Sequence, residues 1–182
     1  KSRLKAANNN NYQFEVRIDI DKDNDFIKIY DNAAGIDIDN YVRAFEPAKI
    51  PIDNTGLHEF GMGMKTASIW LADLWSVRTA ALDEDEERLV EFDLKKVLAE
   101  ERELLEVETI KKEMTTHFTE LTLNQLSKNA PSNHQIDKIK RHLLSIYRKF
   151  IRNGDMKLFI NDEELIYEEP EILKAPFYND LN

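Results

Sequence analysis

The chain has no cysteine, few glycines and no long apolar run, and each shortage excludes something. Without cysteine there is neither a disulfide framework nor a thiolate metal site, a composition suited to a reducing, cytoplasmic location. No stretch approaches the roughly 18 apolar residues of a membrane-spanning helix, and no secretory signal is visible. Excess positive charge is also lacking. The net charge of −10 disfavours broad non-specific binding to nucleic acid. The four histidines, His58, His117, His134 and His142, show no metal-ligand spacing among themselves or with carboxylates. No Ser/His/Asp arrangement is visible by spacing. What remains is 182 residues with 42% apolar content, enough for one domain to fold without staples.

The scarcity of glycine makes its distribution informative. Three of the five glycines fall between Gly56 and Gly63, in Gly56-Leu57-His58-Glu59-Phe60-Gly61-Met62-Gly63-Met64-Lys65-Thr66. Gly61 and Gly63 directly precede Ala67-Ser68-Ile69-Trp70-Leu71-Ala72, an apolar stretch with helical character. Glycine permits close backbone approach to a ligand. A helix beginning there presents free N–H groups and the positive end of its dipole, which together make an anion site. The spacing is neither G-x-G-x-x-G nor the P-loop. Two readings stand: a phosphate cradle, or a glycine turn that only starts a helix.

A second segment lies upstream. Phe26-Ile27-Lys28-Ile29-Tyr30 alternates as a strand does, and Asp31-Asn32-Ala33-Ala34-Gly35-Ile36 follows it. The Asp turn and the glycine loop are about 25 residues apart, joined by a short helix and a polar loop. This ordered pair resembles the GHKL ATPase superfamily of gyrase, the large heat-shock chaperones, histidine kinases and MutL. In that superfamily a D-x-G-x-G box precedes a G-x-G loop that opens a helix. The wording of Glu59 to Ala67 looks most like the MORC-like and bacterial defence branch, whose loop runs G-x-G-x-K-[ST]. The resemblance covers residues 12 to 123.

The resemblance implies a set of roles. Asp31 accepts a hydrogen bond from the adenine amino group, Gly35 is the small residue under the purine, and Ile36 walls the pocket. Gly61, Met62, Gly63, Met64, Lys65 and Thr66 form the phosphate loop, with Lys65 adding positive charge. Thr119, in His117-Phe118-Thr119-Glu120-Leu121, matches a threonine that the family places beside the Asp. Two positions depart from the family wording: Ala33 and Phe118 stand where glycines are usual. The family's N box, a Glu that activates water and an Asn that binds Mg²⁺, has no counterpart before Asp31. The chain opens without Met and in mid-helix at Lys1 to Ala7, which predicts a piece of a longer protein. That piece alone is expected not to hydrolyse ATP efficiently. No catalytic residue and no protein metal ligand is assigned.

The remaining pattern predicts the elements. Tyr12 to Ile20 and Phe26 to Tyr30 form a hairpin, and Asp37 to Phe45 a short helix. Glu46 to Phe60, with Pro47, Pro51 and Gly56, is a loop in the place of the family's ATP lid. Leu74 to Ala80 and Arg88 to Phe92 form a second hairpin around a solvated acidic tip. Leu94 to Lys112 is charged and helix-prone, and Thr116 to Leu123 is another strand. Ile136 to Arg152 is an amphipathic helix with Ile136, Ile139, Leu143, Ile146, Tyr147 and Phe150 inward and a solvated basic face. Met156 to Asn161 and Leu165 to Tyr167 pair around Asn161-Asp162. Trp70 and Trp75 are expected in the core.

These elements and the resemblance predict a two-layer α/β sandwich of the GHKL (Bergerat) type, its sheet mixed and largely antiparallel, its helices on one face. Residues 1–130 are expected to form the ATP-binding core, with residues 131–182 packed on it. The resemblance implies ATP and Mg²⁺ as cofactors, a homodimer on nucleotide binding and a nucleic-acid or protein partner, while the lack of a long apolar run predicts no membrane. The implied function is a nucleotide-driven conformational switch. A non-hydrolysing nucleotide sensor and a histidine-kinase-like phosphotransfer domain are the alternatives.

Overall fold

The computed structural model describes residues 4–5, 11–45, 63–100 and 106–168. Its strands are β1 (Glu15–Asp21), β2 (Phe26–Asp31), β3 (Ala72–Ala80), β4 (Glu86–Asp93), β5 (Val107–Lys111), β6 (Phe118–Leu126), β7 (Lys157–Ile160) and β8 (Glu163–Glu164). The helices are α1 (Ile38–Phe45), α2 (Gly63–Leu71), α3 (Leu94–Glu100) and α4 (Ile136–Arg152). All eight strands form one sheet in the order β5-β4-β3-β6-β2-β1-β7-β8. Every pairing is antiparallel except β1 with β7, which is parallel.

Period-two alternation decides which face is buried. The register aligns Ile20, Ile27, Leu123, Trp75 and Phe92 in one row across five strands. The next row is Ile18, Ile29, Leu121, Val77 and Val90. These residues form or border the main apolar cluster, on which Phe45 of α1, Met64 and Leu71 of α2 and Ile139 of α4 also pack. Helices α1, α2 and α4 therefore cover the face these rows present. A second cluster, Met156, Leu158, Ile160 and Leu165, lies under α4.

Three expectations need correction. Leu94 to Lys112 is helical only over α3, and Val107–Lys111 is instead an edge strand paired with β4. Val107, Thr109 and Ile110 are β-branched, and pairing with β4 outweighs the helix propensity of the surrounding charged residues. Trp75 is buried, but Trp70 is 64% exposed. In α2 the inward positions are Met64, Ser68 and Leu71, four and three residues apart, which leaves Trp70 on the outer side. On α4, Ile146 and Phe150 are 51% and 45% exposed. Leu144 and Ile151 take the inward places beside Ile136, Ile139, Leu143 and Tyr147.

Most other described elements appear where expected, with a shift in the last hairpin. The β1–β2 and β3–β4 hairpins form, and α4 spans the anticipated residues. The β7–β8 turn is Asn161-Asp162, with β8 at Glu163–Glu164 rather than at 165–167. Both turn residues have positive φ, 48° and 64°, the pattern of a two-residue type I′ hairpin.

Candidate functional site

A third row runs beside the two apolar ones, and four of its five positions are polar. Val16, Asp31, Thr119, Thr79 and Arg88 are register partners across β1, β2, β6, β3 and β4. Their side chains share the face on which the helices lie, because residues directly opposite in a ladder point the same way. The sheet thus places Asp31 and Thr119, 88 positions apart in sequence, next to each other.

Asp31 ends β2 and is half-buried. Burial raises its carboxyl above the ordinary carboxylate range, and a hydrogen bond from the Ala33 amide to Oδ1, 2.9 Å long, partly opposes this. Oδ2 has no hydrogen-bond partner among the described residues. The turn after Asp31 is clamped from both sides. The Asn32 side chain accepts the Glu15 amide at 2.8 Å and donates to the Gln13 carbonyl at 2.8 Å. Tyr12 Oη donates to the Asn32 carbonyl, and the Leu82 amide donates to Ala34. His117 Nδ1 lies 3.0 Å from the Ala33 carbonyl oxygen.

Gly35 has φ +73°. A Cβ built there would meet the Ala80 carbonyl oxygen at 2.0 Å and the Ala81 Cα at 2.9 Å. Glycine is thus required twice, for conformation and for space. Ala33 has no such requirement, since its φ is not positive, so alanine fits in the place of glycine. Ile36 borders the main apolar cluster, and its amide donates to Thr79 Oγ1 at 2.9 Å.

Phe118 also fits in the place of a glycine. Being adjacent to Thr119 on a strand, its side chain points to the opposite face, where it stacks on Tyr30 at 5.9 Å under the Arg78 guanidinium. Its bulk never enters the row of Asp31 and Thr119.

The phosphate-loop residues are described from Gly63 onward, while Gly61, Met62, the lid segment 46–60 and residues 6–10 lie outside the described residues. Gly63 begins α2, is exposed, and has nothing within 4 Å of a built Cβ. Neither packing against the described residues nor positive φ requires glycine at this position. Met64 packs on the apolar cluster that Ile36 also borders, Lys65 is half-buried and Thr66 exposed. The first turn of α2 carries no acid.

Two residues of this site went unnoticed in sequence. Thr79 is wholly buried, and its hydroxyl contacts Ile36, Phe118 and Thr119. Arg88, 6% exposed, is bonded to Glu84, lies 3.8 Å from Glu86, and sits over the Tyr41 ring of α1. Only the strand register reveals either. Among the described residues no group of three or more His, Cys, Asp or Glu could hold a metal, and no helix is long and apolar enough to cross a membrane.

Comparison with known proteins agrees with this fold. The family model for histidine kinase-, DNA gyrase B-, and HSP90-like ATPases matches residues 5–130. No curated protein matches the chain. Among solved structures, the ATPase region of Saccharomyces cerevisiae topoisomerase II is similar at 12% identity and a TM-score of 0.54, over 90% of this chain and 47% of that one. The ATPase and transducer domains of DNA topoisomerase II from Balamuthia mandrillaris are similar at 16% identity and a TM-score of 0.60, over 89% of this chain and 46% of that one. The chain thus spans less than half the length of these structures, and the likeness is one of fold. With more than half of its residues matched by the family model, the chain belongs to the histidine kinase-, DNA gyrase B- and HSP90-like ATPases.

Proposed function

We propose that this chain binds ATP between its helices and its sheet, as the nucleotide-responsive domain of a conformational switch. The observation that carries the reading is the pairing of Asp31 with Thr119 on the helix-covered face, with Asp31 Oδ2 left without a partner among the described residues. An ionised carboxylate only accepts hydrogen bonds, so it suits a base with an exocyclic amino group. Gly35 brings the turn against β3, and Ile36 supplies an apolar wall. Gly63 to Thr66 offer backbone N–H groups at the start of α2, with Lys65 as a positive charge for the phosphates, and the proposed loop includes Gly61 and Met62 before them. Bound ATP with Mg²⁺ would supply the phosphoryl group and the charge that a lid recognises. Closure over the phosphates would expose or order a surface for a second copy or another partner.

The family match and the topoisomerase-like fold support a role alongside nucleic acid by analogy alone. The MORC-like placement rests on the wording of residues 59–67. Residues 1–130 form the proposed core. The proposed division assigns residues 131–182 to a part packed on that core, and the β1–β7 pairing and the contact of Ile139 with the main cluster support it for the described residues. Lack of cysteine supports a cytoplasmic setting.

A nucleotide sensor that does not hydrolyse is the second reading, separated from the first by phosphate release. Calorimetric titration of the full protein with ATP and GTP, followed by phosphate-release assays, tests both. Mg²⁺-dependent ATP binding with preference over GTP is expected. Slow phosphate release identifies an ATPase, and binding without release a sensor. Failure to bind ATP overturns both.

A further inference from the structure

We infer that Thr79, which has no exposed surface, sets the base selectivity of the site by fixing the direction of the Thr119 hydroxyl. The inference rests on the nucleotide reading above and goes one layer beneath it.

A threonine hydroxyl has one proton to donate and two lone pairs to accept with. Thr79 Oγ1 has three polar neighbours: the Ile36 amide at 2.9 Å, the Phe118 carbonyl oxygen at 3.0 Å and Thr119 Oγ1 at 3.3 Å. The amide can only donate, and it takes one lone pair. The carbonyl can only accept, and it takes the proton. The contact with Thr119 is then satisfied in a single way, with Thr119 donating to the remaining lone pair of Thr79. All three positions on Thr79 are filled.

The consequence falls on Thr119. Its only proton is directed along the sheet into Thr79, so toward a ligand it offers lone pairs alone. Asp31, opposite Thr119 in the β2–β6 ladder, is likewise an acceptor when ionised. Two adjacent side chains therefore present acceptors to whatever enters. An amino-bearing base edge is matched there. A carbonyl-bearing edge sets lone pair against lone pair in a partly desolvated place, where a mismatch is costly. Thr79 is buried and does not meet the ligand, so it is a positioning residue. Its bond to the Ile36 amide ties the same hydroxyl to the turn that follows Asp31.

Removing the Thr79 hydroxyl frees the Thr119 proton, which can then rotate outward and donate to a carbonyl. Affinities of the full protein for ATP and ITP, measured by calorimetry, test this in wild type, Thr79→Val, Thr79→Ala and Thr79→Ser. The wild type is expected to favour ATP. In Thr79→Val and Thr79→Ala the ATP-to-ITP affinity ratio should fall about ten-fold, whereas Thr79→Ser should retain it. A merely structural role would weaken both nucleotides together and leave the ratio unmoved, and that result overturns the inference while sparing the nucleotide reading. A wild type that binds neither nucleotide removes the reading and the inference with it. A ligand-free measurement needs no variant to fold. In the wild-type NMR spectrum the Thr119 hydroxyl proton should exchange slowly and show a cross-peak to the Thr79 side chain. A Thr119 hydroxyl averaged with water overturns the inference.

Discussion

The carbonyl oxygen of Ala80 lies 2.0 Å from where a Cβ on Gly35 would be. No side chain can flex to relieve that contact, because the obstacle is the backbone of a central strand. Gly35 also holds φ +73°, a region that disfavours L side chains. Gly35→Ala should therefore destabilise the protein by about 2–4 kcal/mol, the sum of overpacking and conformational strain. It should also push the 33–36 turn off β3 and abolish nucleotide binding. Chemical denaturation is the check, and a loss below about 0.5 kcal/mol would mean the turn moves freely.

Lys112 fastens the other side of the same turn. Its ammonium reaches the carbonyl oxygens of Ala81 at 2.9 Å, Glu84 at 2.6 Å, Thr116 at 2.9 Å and Glu113 at 3.3 Å. It joins the β3–β4 connection, which backs Gly35, to the segment that leads into β6. Lys112→Met keeps the aliphatic stem but leaves those carbonyls without their shared donor. A loss of about 1–3 kcal/mol in urea unfolding is expected. Lys112→Arg should not restore it fully, since a planar fork does not fit a cage built for a point charge. Full stability in Lys112→Met would show that water replaces the ammonium.

The β7–β8 turn separates conformation from contact. Asp162 holds φ 64° and is exposed, so Asp162→Gly should stabilise the protein by about 0.5–1 kcal/mol by relieving a left-handed side chain. Its ion pair with Arg17, 3.9 Å long and exposed, offsets little of that gain. Asn161 differs: its side chain accepts the Ile20 amide at 2.8 Å and donates to the Ile20 carbonyl at 3.2 Å. Asn161→Gly should lose about 1–2 kcal/mol despite relief at φ 48°. Thermal melts of the two variants should move in opposite directions.

Local chemistry explains which features were legible in sequence. The Asp31 to Ile36 turn could be read because an acid at a strand end, small residues and a glycine each point to the same local structure. α4 could be read because seventeen residues of amphipathic pattern outweigh any single choice, although the edge of its apolar stripe was misjudged at Ile146 and Phe150. β5 was hidden because its charged neighbours favour helix, and only β4, as a partner, makes it a strand. Thr79 was hidden for a different reason. Nothing marks it in the chain, and its importance appears only when the register sets it beside Thr119, 40 positions later.

Asp31 is where function and stability should oppose each other. Burial holds its carboxyl above the ordinary range, so the folded protein binds that proton more tightly than the unfolded chain does. The sign follows from linkage: stability falls as pH rises from the unfolded carboxyl value through the raised folded value, and the penalty is constant above it. In the ligand-free protein Asp31→Asn should therefore be more stable than wild type at neutral pH, and the advantage should shrink as pH falls through that window. The Ala33 amide keeps an acceptor in the asparagine side-chain oxygen, so the turn survives the change. Nucleotide binding should respond in the opposite sense. Loss of a charged acceptor for the adenine amino group costs about 1.5–3 kcal/mol, roughly ten- to a hundred-fold in affinity. Paired melts across pH and calorimetry with ATP on the full protein measure both effects. A variant that binds ATP as tightly as wild type would remove Asp31 from base recognition. A variant less stable than wild type at neutral pH would show that the buried carboxylate is held by more than the Ala33 amide.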